Sequence, residues 1–229
     1  MTGLRAVLFD VDFTIARPGP DLGAEGYERV GRRLGLKLHP ALYEDARTAA
    51  LVDLKRHPEL EHDEEIWVAF TERIVRGMGG DAGIARQVAV EITGAWQRSE
   101  NFELFEDTLP VLEELRAQGL KLGLVSNSSR DMRQFAEHHG LEVDAGLSSF
   151  FHGKTKPHAS IFRAVLDLLD VEPHEAAMVG DTLEDDIEGA RAIGMQAILL
   201  DRQGRYPHVA ERLTDLFALP AALGLARPG

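Results

Sequence analysis

The chain has 229 residues, 44% of them hydrophobic, and its 38 acidic against 25 basic residues give a formal net charge of −13. That length suits one large domain or one domain carrying a smaller insertion. The acidic balance, with no basic stripe interleaved with aromatics, excludes a nucleic-acid binder, and the absence of cysteine excludes disulfides, thiolate catalysis and sulfur-built zinc sites.

No apolar run approaches the roughly 20 residues of a membrane span. The short apolar stretch behind Met1-Thr2-Gly3-Leu4-Arg5 is cut off by Asp10, too early for a signal peptide. A cytoplasmic protein with no membrane partner is expected. In chain order, Leu4-Arg5-Ala6-Val7-Leu8-Phe9 comes first; it is bounded by charge and nearly continuously apolar, the pattern of a strand buried on both faces. Arg17-Pro18-Gly19-Pro20 reads as a loop or hinge. From there to about Glu100 the texture is helical and contains no convincing strand. Candidate helices fall at 21–34, 41–56, 63–78 and 82–98. The third repeats Ile66, Phe70, Ile74 and Met78 at helical spacing with Asp63 near its start, and Asp81 is a candidate N-cap of the fourth, after Gly79-Gly80.

From Glu106 onward, helix and strand alternate. A helix Thr108–Gln118 closes at Gly119 and a strand follows at Leu120–Val125. A helix Arg130–His139 closes at Gly140, and another lies at Ile161–Leu169. A strand at Ala176–Val179, a helix Glu184–Ile193 stopped by Gly194 and a strand at Gln196–Leu200 complete the series. Glycine-terminated helices between apolar strands indicate βαβ crossovers and a parallel sheet. The expected fold is α/β, a doubly wound parallel sheet. Its core comprises 1–15 and 101–229, with an all-helical domain at 16–100. Arg227-Pro228-Gly229 reads as a loose tail.

Ligands of open parallel sheets bind beyond the carboxyl ends of the strands. Those ends deliver Asp10, Asp12 and Thr14, then Ser126 and Asn127, then Lys156 before Pro157, and last Asp181 with Asp185 and Asp186 a turn later. Singly, each has an ordinary explanation: an Asp or Ser after a strand commonly caps a helix, and a lone lysine is commonly solvated. Together they place carboxylates, hydroxyls and a cation at one edge of one sheet, a set suited to a hard divalent cation and a phosphate. His57, His138, His139, His152 and His158 show no zinc-ligand spacing and are expected at the surface. Trp67 and Trp96 fall in helical patterns and are expected in the core of the insertion.

The motifs resemble those of the haloacid dehalogenase superfamily. Phe9-Asp10-Val11-Asp12-Phe13-Thr14 resembles its first motif, Val125-Ser126-Asn127 its second, and Lys156-Pro157 followed by Ile161-Phe162 its third. Gly180-Asp181-Thr182-Leu183-Glu184-Asp185-Asp186-Ile187-Glu188-Gly189-Ala190 is similar to the fourth, and the insertion is similar to the α-helical cap of one subfamily. The family usually has glycine where this chain has Phe13, a difference that bears on the entrance to the site and on the local turn.

The resemblance implies a Rossmann-like core and a phosphatase acting on a small phosphorylated molecule. Asp10 is then the nucleophile, forming an aspartyl-phosphate, and Asp12 the general acid and base. Mg²⁺ would be held by Asp10, the carbonyl of Asp12, Asp181 and Asp186, with Asp185 ranked below Asp186 as a first-turn residue of its helix. Ser126 and the Asn127 backbone would bind phosphoryl oxygens, Lys156 rather than Lys154 would offset charge, and Thr14 would fix the loop beside the substrate. A monomer or homodimer is expected. A dehalogenase needs no acid at Asp12, and a phosphonate hydrolase needs a cap lysine, where only Lys37 and Lys55 stand. A phosphomutase shares the catalytic set. The reading from another class is a receiver-like phospho-acceptor module, which is about half this length and ordered differently. The residues from about 15 to 100 are expected to move as a lid, hinging near Arg17–Pro20 and Phe102–Glu106.

Overall fold

The structure, a computed structural model, describes residues 3–225, so the terminal Arg227-Pro228-Gly229 lies outside it. The chain divides into two compact units, one of Met1–Arg17 with Leu104–Gly229 and one of Pro18–Glu103.

The first unit is built on a six-stranded parallel sheet. Its strands are β1 (Ala6–Phe9), β4 (Lys121–Ser126), β5 (Ala145–Ser148), β6 (Ala176–Gly180), β7 (Gln196–Leu200) and β8 (Arg212–Leu213), in the order β5-β4-β1-β6-β7-β8. Two short strands, β2 (Ala16–Pro18) and β3 (Phe102–Leu104), form a separate two-stranded sheet where the chain passes from one unit to the other and back. β1 lies at the centre and is fully buried, as its unbroken run Ala-Val-Leu-Phe requires. It pairs Phe9 with Leu124 on one side and with Val179 on the other, which brings the carboxyl ends of β1, β4 and β6 level with one another.

Helices α5 (Thr108–Ala117), α6 (Met132–His139), the one-turn α7 (Ser149–His152) and α8 (Ala159–Leu169) accompany the sheet. The apolar face of α8, with Ile161, Phe162, Val165, Leu166 and Leu169, joins Leu8, Val125 and Met178 in one core. Among the described residues no helix is long and apolar enough to cross a membrane.

The second unit has four α-helices, α1 (Ala24–Arg33), α2 (Tyr43–Val52), α3 (Glu64–Gly77) and α4 (Ala82–Trp96), around a core of Tyr27, Leu38, Ile74, Val75, Met78, Val88 and Ile92. Asp63 and Asp81 cap α3 and α4, accepting hydrogen bonds from the backbone N–H groups of Glu65 and Gly83 at 2.9 and 2.8 Å. Trp96 packs against this core, but Trp67 is 37% exposed and meets Phe70 edge-on, so only one tryptophan follows the core expectation.

Two further expectations are corrected. Glu184–Ile193 is not one α-helix: Leu183–Glu188 is a π-helix, followed by a single α turn at Gly189–Arg191. His152 and His158 are half-buried and converge on the Ser160 hydroxyl, each at 2.7 Å, rather than lying free at the surface.

Candidate active site

Asp10 leaves the end of β1 with its backbone N–H donating to Val179 O at 2.9 Å, so the central strand aims its side chain beyond the sheet edge. One carboxylate oxygen, Oδ1, accepts from Lys156 Nζ at 2.6 Å; the other, Oδ2, accepts from the Thr14 hydroxyl at 3.0 Å. Lys156 also donates to Asp186 Oδ1 at 2.6 Å and to Val125 O at 3.0 Å, which uses all three ammonium protons. The lysine is 2% exposed and Asp186 is fully buried. Burial alone would depress the ammonium, but the charges of Asp10 and Asp186 outweigh it and raise Lys156 above the ordinary lysine range.

Asp181 follows the last residue of β6. Its Oδ1 accepts from the Thr182 hydroxyl at 3.1 Å, while Arg205 pairs with Oδ2 and donates to the Asp181 carbonyl at 2.8 Å. Asp186 is held by the Thr182 N–H, donating to Oδ2 at 3.0 Å. The π-helix turns Asp186 rather than Asp185 into the cluster, and a Cβ added at Gly180 would collide with the Asp186 carboxylate. Only glycine permits this approach.

Carboxylate oxygens of Asp10, Asp181 and Asp186 all lie within 4.8 Å of one another. Lys156 pairs with Asp10 and Asp186 and Arg205 with Asp181, so three carboxylates face two cations, an excess of negative charge that the electrostatics record. Burial pushes the Asp10 carboxyl well above the ordinary range, with Asp186, Asp181 and Asp12 pushing the same way and Lys156 opposing. Burial likewise pushes Asp181 up to about 6, aided by Asp186 and opposed by Arg205 and Lys156. An all-oxygen donor set with surplus negative charge fits a hard divalent cation.

This surplus has a measurable sign. A carboxyl raised in the folded state contributes stability below its unfolded pKa and loses it as pH climbs through the folded value. In chelator, wild type is therefore expected to lose stability relative to Asp181→Asn between about pH 4 and 7, by on the order of 2–3 kcal/mol. Urea denaturation of both proteins across that window measures it; a difference that stays constant with pH would refute the shift.

Asn127 acts here through its side chain. Its Nδ2 donates to Lys156 O at 3.0 Å and its Oδ1 accepts from Lys156 N at 2.7 Å, clamping the backbone that carries the lysine. Ser126 is buried at the end of β4, its hydroxyl donating to Ser128 Oγ at 3.0 Å. Thr14 is fully buried, with its hydroxyl spent on Asp10.

The loop after β1 keeps a tight turn although Phe13 stands where a glycine is usual. Phe13 has φ of 65°, a left-handed conformation that costs an L-residue roughly 1–2 kcal/mol. Hydrogen bonds from Phe13 N to Ala16 O at 2.7 Å and from Ile15 N to Val11 O at 3.0 Å hold it there.

Several contributors had no sequence pattern to reveal them. Arg202 donates to Thr14 O at 3.0 Å, forms a two-pronged pair with Asp107 at 2.7 and 2.8 Å, and stacks 4.0 Å over Phe105, bracing the loop from behind. Arg130 pairs with Asp12 and Arg205 with Asp181. Lone arginines in loops carry no spacing signal, and only the fold shows what they meet.

A family model described as haloacid dehalogenase-like hydrolase matches residues 4–194. The chain is 30% identical to haloacid dehalogenase-like hydrolase domain-containing protein 3 of Bos taurus, over 86% of this chain and 82% of that protein. It is 34% identical to phosphoserine phosphatase of Thermus thermophilus, over 64% of this chain but only 60% of that protein's length. Among solved structures it resembles the HAD phosphatase from Thermococcus onnurineus with a TM-score of 0.68 and 27% identity, covering 98% of this chain and 100% of that one.

Proposed function

From the premise that this chain belongs to the haloacid dehalogenase-like hydrolase family, we propose that it is a magnesium-dependent phosphatase of small phosphate monoesters, working through an aspartyl-phosphate on Asp10. The observation that carries the proposal is the buried Lys156 ammonium shared between Asp10 and Asp186, with the Thr14 hydroxyl fixing the other oxygen of Asp10. The phosphatase names among its relatives support the reaction class. So does Asp12, because a halide leaves without needing a proton.

In the first step Asp10 attacks phosphorus while Asp12 passes a proton to the leaving oxygen; the bond to Asp10 forms as the bond to the alcohol breaks. In the second, Asp12 takes a proton from water as that water attacks phosphorus, and inorganic phosphate departs with Asp10 restored. Ser126 and the Asn127 backbone N–H donate to phosphoryl oxygens, and Lys156 offsets their charge. Asp10, Asp181 and the Asp12 carbonyl would hold magnesium, with Asp186 behind them. When bound, the ion supplies the charge neutralisation that lets an anionic carboxylate meet an anionic ester. The helical unit takes the role of a cap that contributes substrate contacts and excludes water. The cysteine-free composition supports a cytoplasmic setting.

The expected result is turnover of para-nitrophenyl phosphate with Mg²⁺ and its loss in excess EDTA. Full activity in EDTA would refute the metal. Labelling of Asp10 by acetyl phosphate without turnover of any ester would indicate a phospho-acceptor module instead.

A further inference from the structure

Arg130 sits in the loop after β4, two residues before α6, and is 2% exposed. A guanidinium withdrawn from water is costly unless a charge meets it, and the carboxylate it meets is Asp12, through Nη2 and Oδ1. The contact spans 118 residues of sequence and ties the loop after β4 to the loop after β1. The ring of Phe135 lies 5.7 Å below the guanidinium and adds a second restraint on its plane. Asp12 keeps 23% of its side chain exposed. Among the described residues, the hydrogen bond to its carboxylate comes from Arg130. That bond fixes the orientation of the Asp12 carboxylate.

We propose that Arg130 is a positioning residue for proton transfer: it pins Asp12 Oδ1 so that Oδ2 is presented to the leaving-group oxygen and afterwards to the attacking water. The proposal rests on the reading of Asp12 as acid and base given above. Proton transfer depends on a donor held within hydrogen-bond reach in the reacting geometry. A loosely held acid therefore costs most where the departing oxygen most needs a proton.

That dependence is the test. A series of aryl phosphates, from 2,4-dinitrophenyl phosphate to phenyl phosphate, varies the basicity of the leaving oxygen and little else. Arg130→Met is expected to lower kcat/KM for phenyl phosphate by about a hundredfold, while 2,4-dinitrophenyl phosphate falls by no more than about threefold. The loss should appear in kcat rather than KM, and Arg130→Lys should recover part of the slope. In an Asp12→Asn background, Arg130→Met should leave the slope as it is. An equal loss across the series in Arg130→Met, with a steep one in Asp12→Asn, would overturn the role of Arg130. A flat series in Asp12→Asn would instead overturn Asp12 as the acid. Where Arg130→Met fails to fold, by circular dichroism, Arg130→Lys decides: a slope equal to wild type overturns the proposal and a steeper one supports it.

Discussion

Asp10→Asn is expected to reduce turnover by roughly four orders of magnitude or more while the protein still folds. The amide is nearly isosteric: its carbonyl oxygen accepts from Lys156, and its NH₂ can donate to the Thr14 hydroxyl, which donates and accepts alike. What it lacks is an anionic oxygen able to form a bond to phosphorus. Stability points the other way. Because burial holds the Asp10 carboxyl well above its ordinary range, its ionised form is a cost to the folded protein at neutral pH. In chelator at pH 7.5 the variant is expected to melt no lower than wild type. Retention of more than about a hundredth of wild-type activity in a folded variant would defeat covalent catalysis by Asp10.

Lys156→Met is expected to lose both properties at once. Its ammonium is the shared partner of two buried carboxylates and a carbonyl. Removing one member of a buried ionic set typically costs 3–5 kcal/mol, because the charges left behind are stranded. For a protein of this size that lowers the melting temperature by on the order of 10 °C. Turnover should fall by roughly 10²–10³-fold through the lost charge on the phosphoryl group. Arg at this position is not expected to substitute, since its planar fork does not reproduce three convergent bonds from one nitrogen. Calorimetry in EDTA and again in excess Mg²⁺ checks the account, because a bound cation would return part of the stability. An unchanged melting temperature in EDTA would contradict it.

The contrast between these variants also shows which features the sequence could disclose. β1, β4, β6 and β7 were readable because each is an apolar run between charges or glycines. β5, reading Ala-Gly-Leu-Ser, and β8, reading Arg-Leu, are too short and too mixed to stand out. The three-residue strands β2 and β3 have no periodicity at all. The acidic stretch Leu183–Glu188 shows helical composition, but composition does not separate a π-helix from an α-helix. In the site, the rule that ligands lie beyond parallel strand ends found Asp10, Lys156, Asp181 and Asp186, which the fold does gather. Thr14 and Asn127 stand at the same strand ends, where the Thr14 hydroxyl bonds Asp10 and the Asn127 side chain holds the Lys156 backbone. Arg130 and Arg205 escaped because a pairing across 118 or 24 residues leaves no local trace.

The three bonds of the Lys156 ammonium reach across 146, 31 and 30 residues of chain. Each of those closures joins stretches that only the assembled sheet brings level, so no local segment of the chain can make the cluster by itself. A cation that binds the folded cluster and not the unfolded chain stabilises the fold by mass action. Folding and unfolding rates with and without Mg²⁺ then date the cluster: one completed after the barrier shows the whole effect as slower unfolding, and one present in the transition state speeds folding.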